Sequence, residues 1–374
     1  MNTLEENLKI IISIVFLMRC KYFGKCGGCF YSLPYEQQLV EKKKLLKEIF
    51  GKEISIVPSP KINGYRSRMD FVYAFGKLGL RKRGSYKHVV DIAHCNLISS
   101  KANDVLKKIR NLLKQRQIED YNYIKHKGYL RYVILREAKF TKEIMVNFLT
   151  ASNKEDILPI AQEISKDVDS VIWSINFGLA DVSFGEVYRS FKKDFIVEKL
   201  GKYRYKIGAN TFFQSNPYMF LKILETIKEL VSGNGLDLYC GIGSIALFIS
   251  ENCKSVIGVE SMEESVKLAN ENAKLNNVKN ANFVNAEVKD FLRDFKDKVD
   301  FIIADPPRSG MGKKVCERII RLKPKKLILM SCNPLTLKQD LEYFKNFYKI
   351  NFMRAYDMFP HTNHLEMLCF LEKR

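Results

Sequence analysis

From about residue 218 onward, apolar positions fall in two alternating rhythms. Short apolar runs near 235, 256, 282, 300, 327, 350 and 366 are separated by stretches whose apolar residues recur every third or fourth position, beginning with 217–232. Such runs are strands buried on both faces, and the stretches between them are helices that cover those faces. Seven strands in that rhythm predict a doubly wound α/β sheet. Upstream the pattern changes. Residues 35–50 read as one amphipathic helix. Between 65 and 210, alternating runs at 68–75, 129–136, 143–149, 171–177, 182–184 and 203–207 predict a mainly β region with helices near 99–117 and 154–167. The 374 residues suffice for two cores, and they divide into an extension 1–19, a mainly β region 20–210 and an α/β region 211–374, with helix 35–50 free to pack on the latter.

Charge is uneven along the chain. Lys and Arg outnumber Asp and Glu by 62 to 42, a net charge of +20. Residues 1–210 hold 38 basic and 22 acidic side chains, against 24 and 20 in 211–374. A polyanion is therefore expected on the β region, in preference to the plainer reading of a solvated lysine-rich surface. Between 61 and 90, Arg66, Arg68, Lys77, Arg81, Lys82, Arg83 and Lys87 alternate with Tyr65, Phe71, Tyr73 and Tyr86. Cations interleaved with rings suit the phosphates and unstacked bases of looped or single-stranded RNA. No membrane span is expected. The apolar stretch from Ile10 to Met18 is well short of the ~20 residues that cross a bilayer. Glu5 and Glu6 in front of it do not suit a signal peptide, so an added N-terminal helix or a start at Met18 fits better. Nine cysteines, an odd set, indicate a reducing compartment, the cytoplasm, and thiol or metal chemistry rather than disulfides. A monomer is expected.

Candidate chemistry sits where the apolar runs end. Leu327-Ile-Leu-Met-Ser-Cys332-Asn-Pro334 carries a thiol at the tip of a strand, where an α/β enzyme holds a nucleophile. Asp237-Leu-Tyr239-Cys-Gly241-Ile-Gly243 is a strand followed by a glycine turn and a helix, a shape that brings backbone close to a ligand. The third glycine of a dinucleotide fingerprint is absent. Two more runs end in acids, Glu260, seventeen residues past Gly243, and Asp305, followed by Pro306 and Pro307. Glu260 suits ribose hydroxyls, or more plainly the charge at a helix start. Cys20-x5-Cys26-Gly-Gly-Cys29 forms a tight cluster, and Cys95 is the only other cysteine before residue 240. Four thiolates suit zinc and an iron–sulfur cluster equally well. Cys240, Cys253, Cys316 and Cys369 lie in apolar or helical contexts and read as small buried hydrophobes.

Taken together, Cys20 to Cys29, Gly64-Tyr-Arg-Ser-Arg68, Cys95, Phe212-Phe-Gln214-Ser-Asn216, Asp237 to Gly243, Asp305-Pro-Pro-Arg308, Ser331-Cys-Asn-Pro334 and Phe359-Pro-His-Thr-Asn-His-Leu-Glu366 resemble the iron–sulfur RNA (uracil-5-)-methyltransferases of 23S rRNA and tRNA. The resemblance runs in order over residues 20–374, although many members carry an additional N-terminal β-barrel. It implies a Rossmann-like, seven-stranded methyltransferase domain behind a mainly β iron–sulfur and RNA-binding domain. It implies S-adenosylmethionine as methyl donor, with Gln214, Tyr239, Glu260 and Asp305 as its contacts, and a 4Fe-4S cluster on Cys20, Cys26, Cys29 and Cys95. Uracil C5 is a weak nucleophile, and a thiolate adding to C6 loads electrons onto it. Cys332 is the expected thiolate and Glu366 the base that removes the C5 proton. His361 and His364 read as positioning residues and Phe212 as a ring contact for a flipped base. Two other readings stand beside this one, an exocyclic-amine methyltransferase, in which Cys332 would be idle, and a non-catalytic iron–sulfur RNA-binding protein. Lack of the extra barrel leans toward 23S rRNA rather than uracil 54 of tRNA.

Overall fold

A computed structural model describes residues 20–374, so the expected extension 1–19 lies outside the described residues. The first elements are helix α1 (Tyr35–Phe50), stopped by Gly51 in the left-handed region, and the short strand β1 (Ser55–Val57). Next come β2 (Arg68–Ala74), β3 (Lys77–Lys82), β4 (Ser85–Asp91), α2 (Ser100–Gln115), β5 (Leu130–Glu137), β6 (Ile144–Thr150), α3 (Leu158–Ile164), β7 (Ser170–Ile175) and β8 (Glu186–Lys192). They build a seven-stranded sheet in the order β4-β3-β2-β5-β6-β7-β8. Every neighbouring pair is antiparallel except β6 and β7, which are joined by a crossover through α3. Leu106, Ile109 and Leu113 of α2 pack on Phe71, Val133, Phe148 and Trp173 to form its core.

Two expectations for this region change. The run 182–184 is loop, and the strand begins at Glu186. The edge strands β4 and β8 expose most of their residues, so neither shows an apolar alternation in sequence. Tyr65, Phe71 and Tyr73 are buried, so of the four rings named between 61 and 90 Tyr86 alone faces solvent, and Phe75 is partly exposed as well. The alternation there records a strand's inner face rather than a stacking surface.

The rest of the chain contains the hairpin β9 (Phe195–Leu200) and β10 (Tyr203–Gly208), then α4 (Pro217–Leu230), β11 (Gly233–Leu238), α5 (Ser244–Ile249), β12 (Cys253–Glu260), α6 (Glu263–Leu275), β13 (Ala281–Asn285), α7 (Val288–Asp294), β14 (Phe301–Ala304), α8 (Gly312–Leu322), β15 (Lys326–Ser331), α9 (Pro334–Phe344), β16 (Tyr348–Tyr356) and β17 (Glu366–Lys373). All seven expected strands are present, and an eighth joins them in the order β1-β16-β17-β15-β14-β11-β12-β13. The eighth is β1, parallel to β16 with Ser55 beside Arg354 and Val57 beside Tyr356. One face packs Ile303, Ile328 and Met330 against α4 and α5, and the other packs Ile302, Leu327 and Leu329 against α8 and α9. Leu46 of α1 joins the second of these cores. Residues 35–57 thus complete the C-terminal sheet, although they precede the β region in sequence. The hairpin leans on the same domain, because Asn272 of α6 and Asn276, which caps that helix, accept from the Lys206 and Arg204 amides (2.7 and 2.8 Å).

Candidate active site

The strands β11, β12, β14 and β15 are parallel and end at one edge, and antiparallel β17 begins there. The chain order reverses across β11, which opens a crevice outside the carboxyl ends of the strands. Tyr239, Gly241 and Gly243 in the loop after β11 all adopt positive φ, 63°, 53° and 79°. A Cβ at Gly243 would stand 2.6 Å from the Phe283 ring, whereas Gly241 faces open space. Glu260 braces this loop, accepting from the Gly241 amide (3.1 Å) through one oxygen and from the Met262 amide (2.9 Å) through the other. The second bond matches the reading of Glu260 as the charge at a helix start, since Met262 precedes helix α6. Gln214 is buried and donates to Asp305 (3.2 Å). Burial pushes Asp305 up to about 6, with the Gln214 bond pulling the other way, and pushes the half-buried Tyr239 phenol to about 12. Asp237 was not among the expected site residues. It is fully buried beneath the loop, accepts from the Ala246 amide (3.0 Å) and is raised by burial to about 8. An acid inside an apolar strand was its signal in the sequence.

Cys332 and Glu366 come together through register. Ser331 pairs with Met367, so one step past the ladder the thiol stands across from the carboxyl. The turn carrying the thiol is fixed. The Asn333 amide donates to the Ser331 hydroxyl (3.1 Å), the Asn333 side chain accepts from the Leu335 amide (3.1 Å) to cap α9, and it donates to the Arg308 carbonyl (3.2 Å). Cys332 is half-buried, while Cys240, Cys253, Cys316 and Cys369 are fully buried, as expected. Its thiol is pushed up to about 11 by burial, then by Glu366 and Asp305, with Arg308 opposing. Glu366 is 2 % exposed and leaves one oxygen without a partner. Burial first, then the Asp305 charge, drives it well above the usual carboxylate range.

The segment that leads into Glu366 is held from below by α1, whose buried stripe is Gln38, Lys42 and Leu46. Lys42 donates to Asp357 (2.5 Å) and to the carbonyls of Phe359 and His364 (both 3.2 Å). Gln38 accepts from the His361 amide (2.8 Å), and the Tyr65 hydroxyl donates to the Pro360 carbonyl (3.0 Å). Burial lowers His361 and His364 below the ordinary imidazole range, which keeps both neutral near pH 7. Elsewhere, Cys20, Cys26, Cys29 and Cys95 line one small apolar pocket with Tyr22, Leu80 and Ile92. Burial and the neighbouring thiols raise Cys29 to about 12, and burial raises Cys95 to about 11. Among the described residues no three His, Cys, Asp or Glu side chains stand close enough to share a single metal ion.

Known proteins of the same build decide the family. The family model described as tRNA (Uracil-5-)-methyltransferase matches residues 34–374. The chain belongs to the tRNA (uracil-5-)-methyltransferase family. It is 37% identical over 94% of its length to the tRNA (uracil(54)-C(5))-methyltransferase of Pyrococcus furiosus and 38% identical to that of Pyrococcus abyssi, covering 84% of each. The crystal structure of the Pyrococcus abyssi tRNA (uracil-54, C5)-methyltransferase in complex with S-adenosyl-L-homocysteine superposes with a TM-score of 0.82 at 36% identity, covering 91% of this chain and 84% of that one. Like its family, the chain is an S-adenosylmethionine-dependent RNA uracil C5-methyltransferase with a Rossmann-like catalytic domain. The leaning toward 23S rRNA finds no support in these relatives, each of which is named for uracil 54 of tRNA.

A cleft of about 830 Å³ suits the family's polyanionic substrate. Arg66, Arg68, Arg81 and Arg83 line it, together with Phe30 and Phe359. Cys332 and Glu366 are not in its walls, but Ser215 and His364 are, so it opens beside the catalytic edge. Phe212, the expected ring contact, is 61% exposed. No helix among the described residues is long and apolar enough to cross a membrane.

Proposed function

We propose that this enzyme forms 5-methyluridine at position 54 of tRNA, acting as a cytoplasmic monomer. The observation that carries the chemistry is the pairing of a half-buried thiol, Cys332, with a buried carboxyl, Glu366, at the edge where the Gly241 loop ends. Cys332 as thiolate adds to C6 of the uracil, and the C5–C6 π pair moves toward O4 as an enolate. C5 then takes the methyl group from the sulfonium, whose carbon–sulfur bond breaks to leave the neutral thioether. Glu366 removes the C5 proton, the C5–C6 double bond re-forms and the Cys332 thiolate departs. Gln214, Tyr239, Glu260 and Asp305 hold the donor. Phe212, exposed beside them, supports the flipped base. An exocyclic-amine methyltransferase needs neither Cys332 nor its register with Glu366.

For the RNA, the supporting observation is identity of 37–38% over 94% of the chain to enzymes named for tRNA uracil 54. Cys20, Cys26, Cys29 and Cys95 line one apolar pocket, and four thiols there are a donor set that would hold a 4Fe-4S cluster. Bound there, a cluster would tie the loop at 20–29 to Cys95 and serve folding and RNA positioning. The test is to incubate purified protein with S-adenosylmethionine and either an unmodified tRNA transcript or 23S rRNA, and to map the product by mass spectrometry. 5-Methyluridine at tRNA position 54 is expected. Methylation of 23S rRNA with tRNA untouched would overturn the substrate assignment.

A further inference from the structure

The loop from Asn176 to Phe184, between β7 and β8, is apolar at its tip and yet exposed. Phe177 is 71% exposed, Leu179 66% and Phe184 53%. A free solvent loop with such side chains would collapse onto the nearest apolar surface. This one is held out by buried polar groups. Arg131, only 2% exposed, donates to the carbonyls of Asn176 (2.9 Å), Gly178 (2.7 Å) and Ala180. Asn176 donates to the Phe184 carbonyl (2.7 Å) and accepts from the Gly178 amide (2.8 Å). Ser183 donates to Asp70 (2.5 Å), and the Tyr132 hydroxyl donates to Asp181 (2.6 Å). Burying a guanidinium is costly unless carbonyls satisfy it, and here the carbonyls all come from this loop. The tip is thus preset in shape before anything binds.

What the tip is set to meet follows from its neighbour. Asp181, Val182, Ser183 and Phe184 are also a wall of the arginine-lined cleft. Of its cations, Arg66 and Arg83 donate to backbone carbonyls, and no carboxylate among the described residues forms an ion pair with either. Free positive charge beside fixed, exposed rings matches a ribose–phosphate strand with unpaired bases, since phosphates take the charge and bases take the rings.

We propose that the Asn176–Phe184 loop is a rigid wedge on which unpaired bases of the substrate RNA stack, with the Phe177 ring as the platform and Leu179 as an apolar contact beside it. The assignment rests on the tRNA reading above. Its occupant is the looped part of that RNA, not a protein partner or a second copy of the chain. In the double variant Phe177→Ala/Leu179→Ala, the KM for tRNA is expected to rise by about ten-fold or more. Melting temperature and S-adenosylmethionine binding should stay at wild-type values, because the tip supports nothing beneath it. As a second readout, Phe177→Trp adds an exposed indole to a chain whose single Trp, at 173, is buried. Its emission should be quenched by tRNA and not by heparin, a polyanion without bases. A KM within two-fold of wild type, equal quenching by heparin, or a wild-type dimer that the double variant loses would each overturn the wedge. Wild-type turnover of tRNA, measured alongside, tests the earlier reading separately. Turnover with no change in the variant removes the wedge alone.

Discussion

Burial and then the Asp305 charge favour the protonated form of Glu366, and the Cys332 thiol beside it is pushed up to about 11. The proposed chemistry needs both in their ionised forms. All three groups are raised, so the ionised forms are gained only as pH rises. Methylation should therefore increase steadily between pH 6 and 9, and a rate that is flat or falls over this range would count against thiolate attack. Arg308 is the one charge that favours the thiolate. Replacing Glu366 with Gln leaves the thiol and donor site in place but removes the base. That variant should lose about 10²–10⁴-fold in kcat and accumulate a covalent protein–RNA species, visible as a shifted band on a denaturing gel. Cys332→Ala forms no such band, and normal product release by Glu366→Gln would leave the base unassigned.

Helix α1 shows how an element can serve a site it does not touch. Two of the three residues in its buried stripe are polar where a packing helix would be apolar, and Gln38 and Lys42 spend their hydrogen bonds on the segment from Asp357 to His364. Lys42 and Asp357 are both fully buried, and one Asp357 oxygen already lacks a partner. Removing the cation strands a charge in the interior, so Lys42→Met should cost about 3–5 kcal/mol of stability, read from urea melts. Lys42→Met/Asp357→Leu should recover much of that stability, since neither charge remains. Its kcat should stay low because the Phe359 and His364 carbonyls lose their donor. Recovery of both together would reduce α1 to a packing role.

Taken as a whole molecule, what the sequence made legible follows from burial. Strands β14 and β15 are buried along almost their whole length and read as continuous apolar runs, while the edge strands β4 and β8 expose their residues and left no pattern. β1 has only three residues, and its place depends on pairing with a strand at the other end of the chain. Within the site, Cys332 and Asp305 were visible because they end apolar runs, and Glu366 only through the motif that carries the family resemblance. Lys42 and the Arg131-held loop were not, because their roles arise only from contacts between distant segments. The basic bias of residues 1–210 was legible as charge, but three of the four rings among those cations, Tyr65, Phe71 and Tyr73, turned out to belong to a core. The meeting of β1 with β16 also has a bearing on synthesis. On the ribosome, the first of these segments must wait for the last, and Glu366 emerges later still. A message cut short anywhere before that codon leaves β16 and β15 without the strand that joins them.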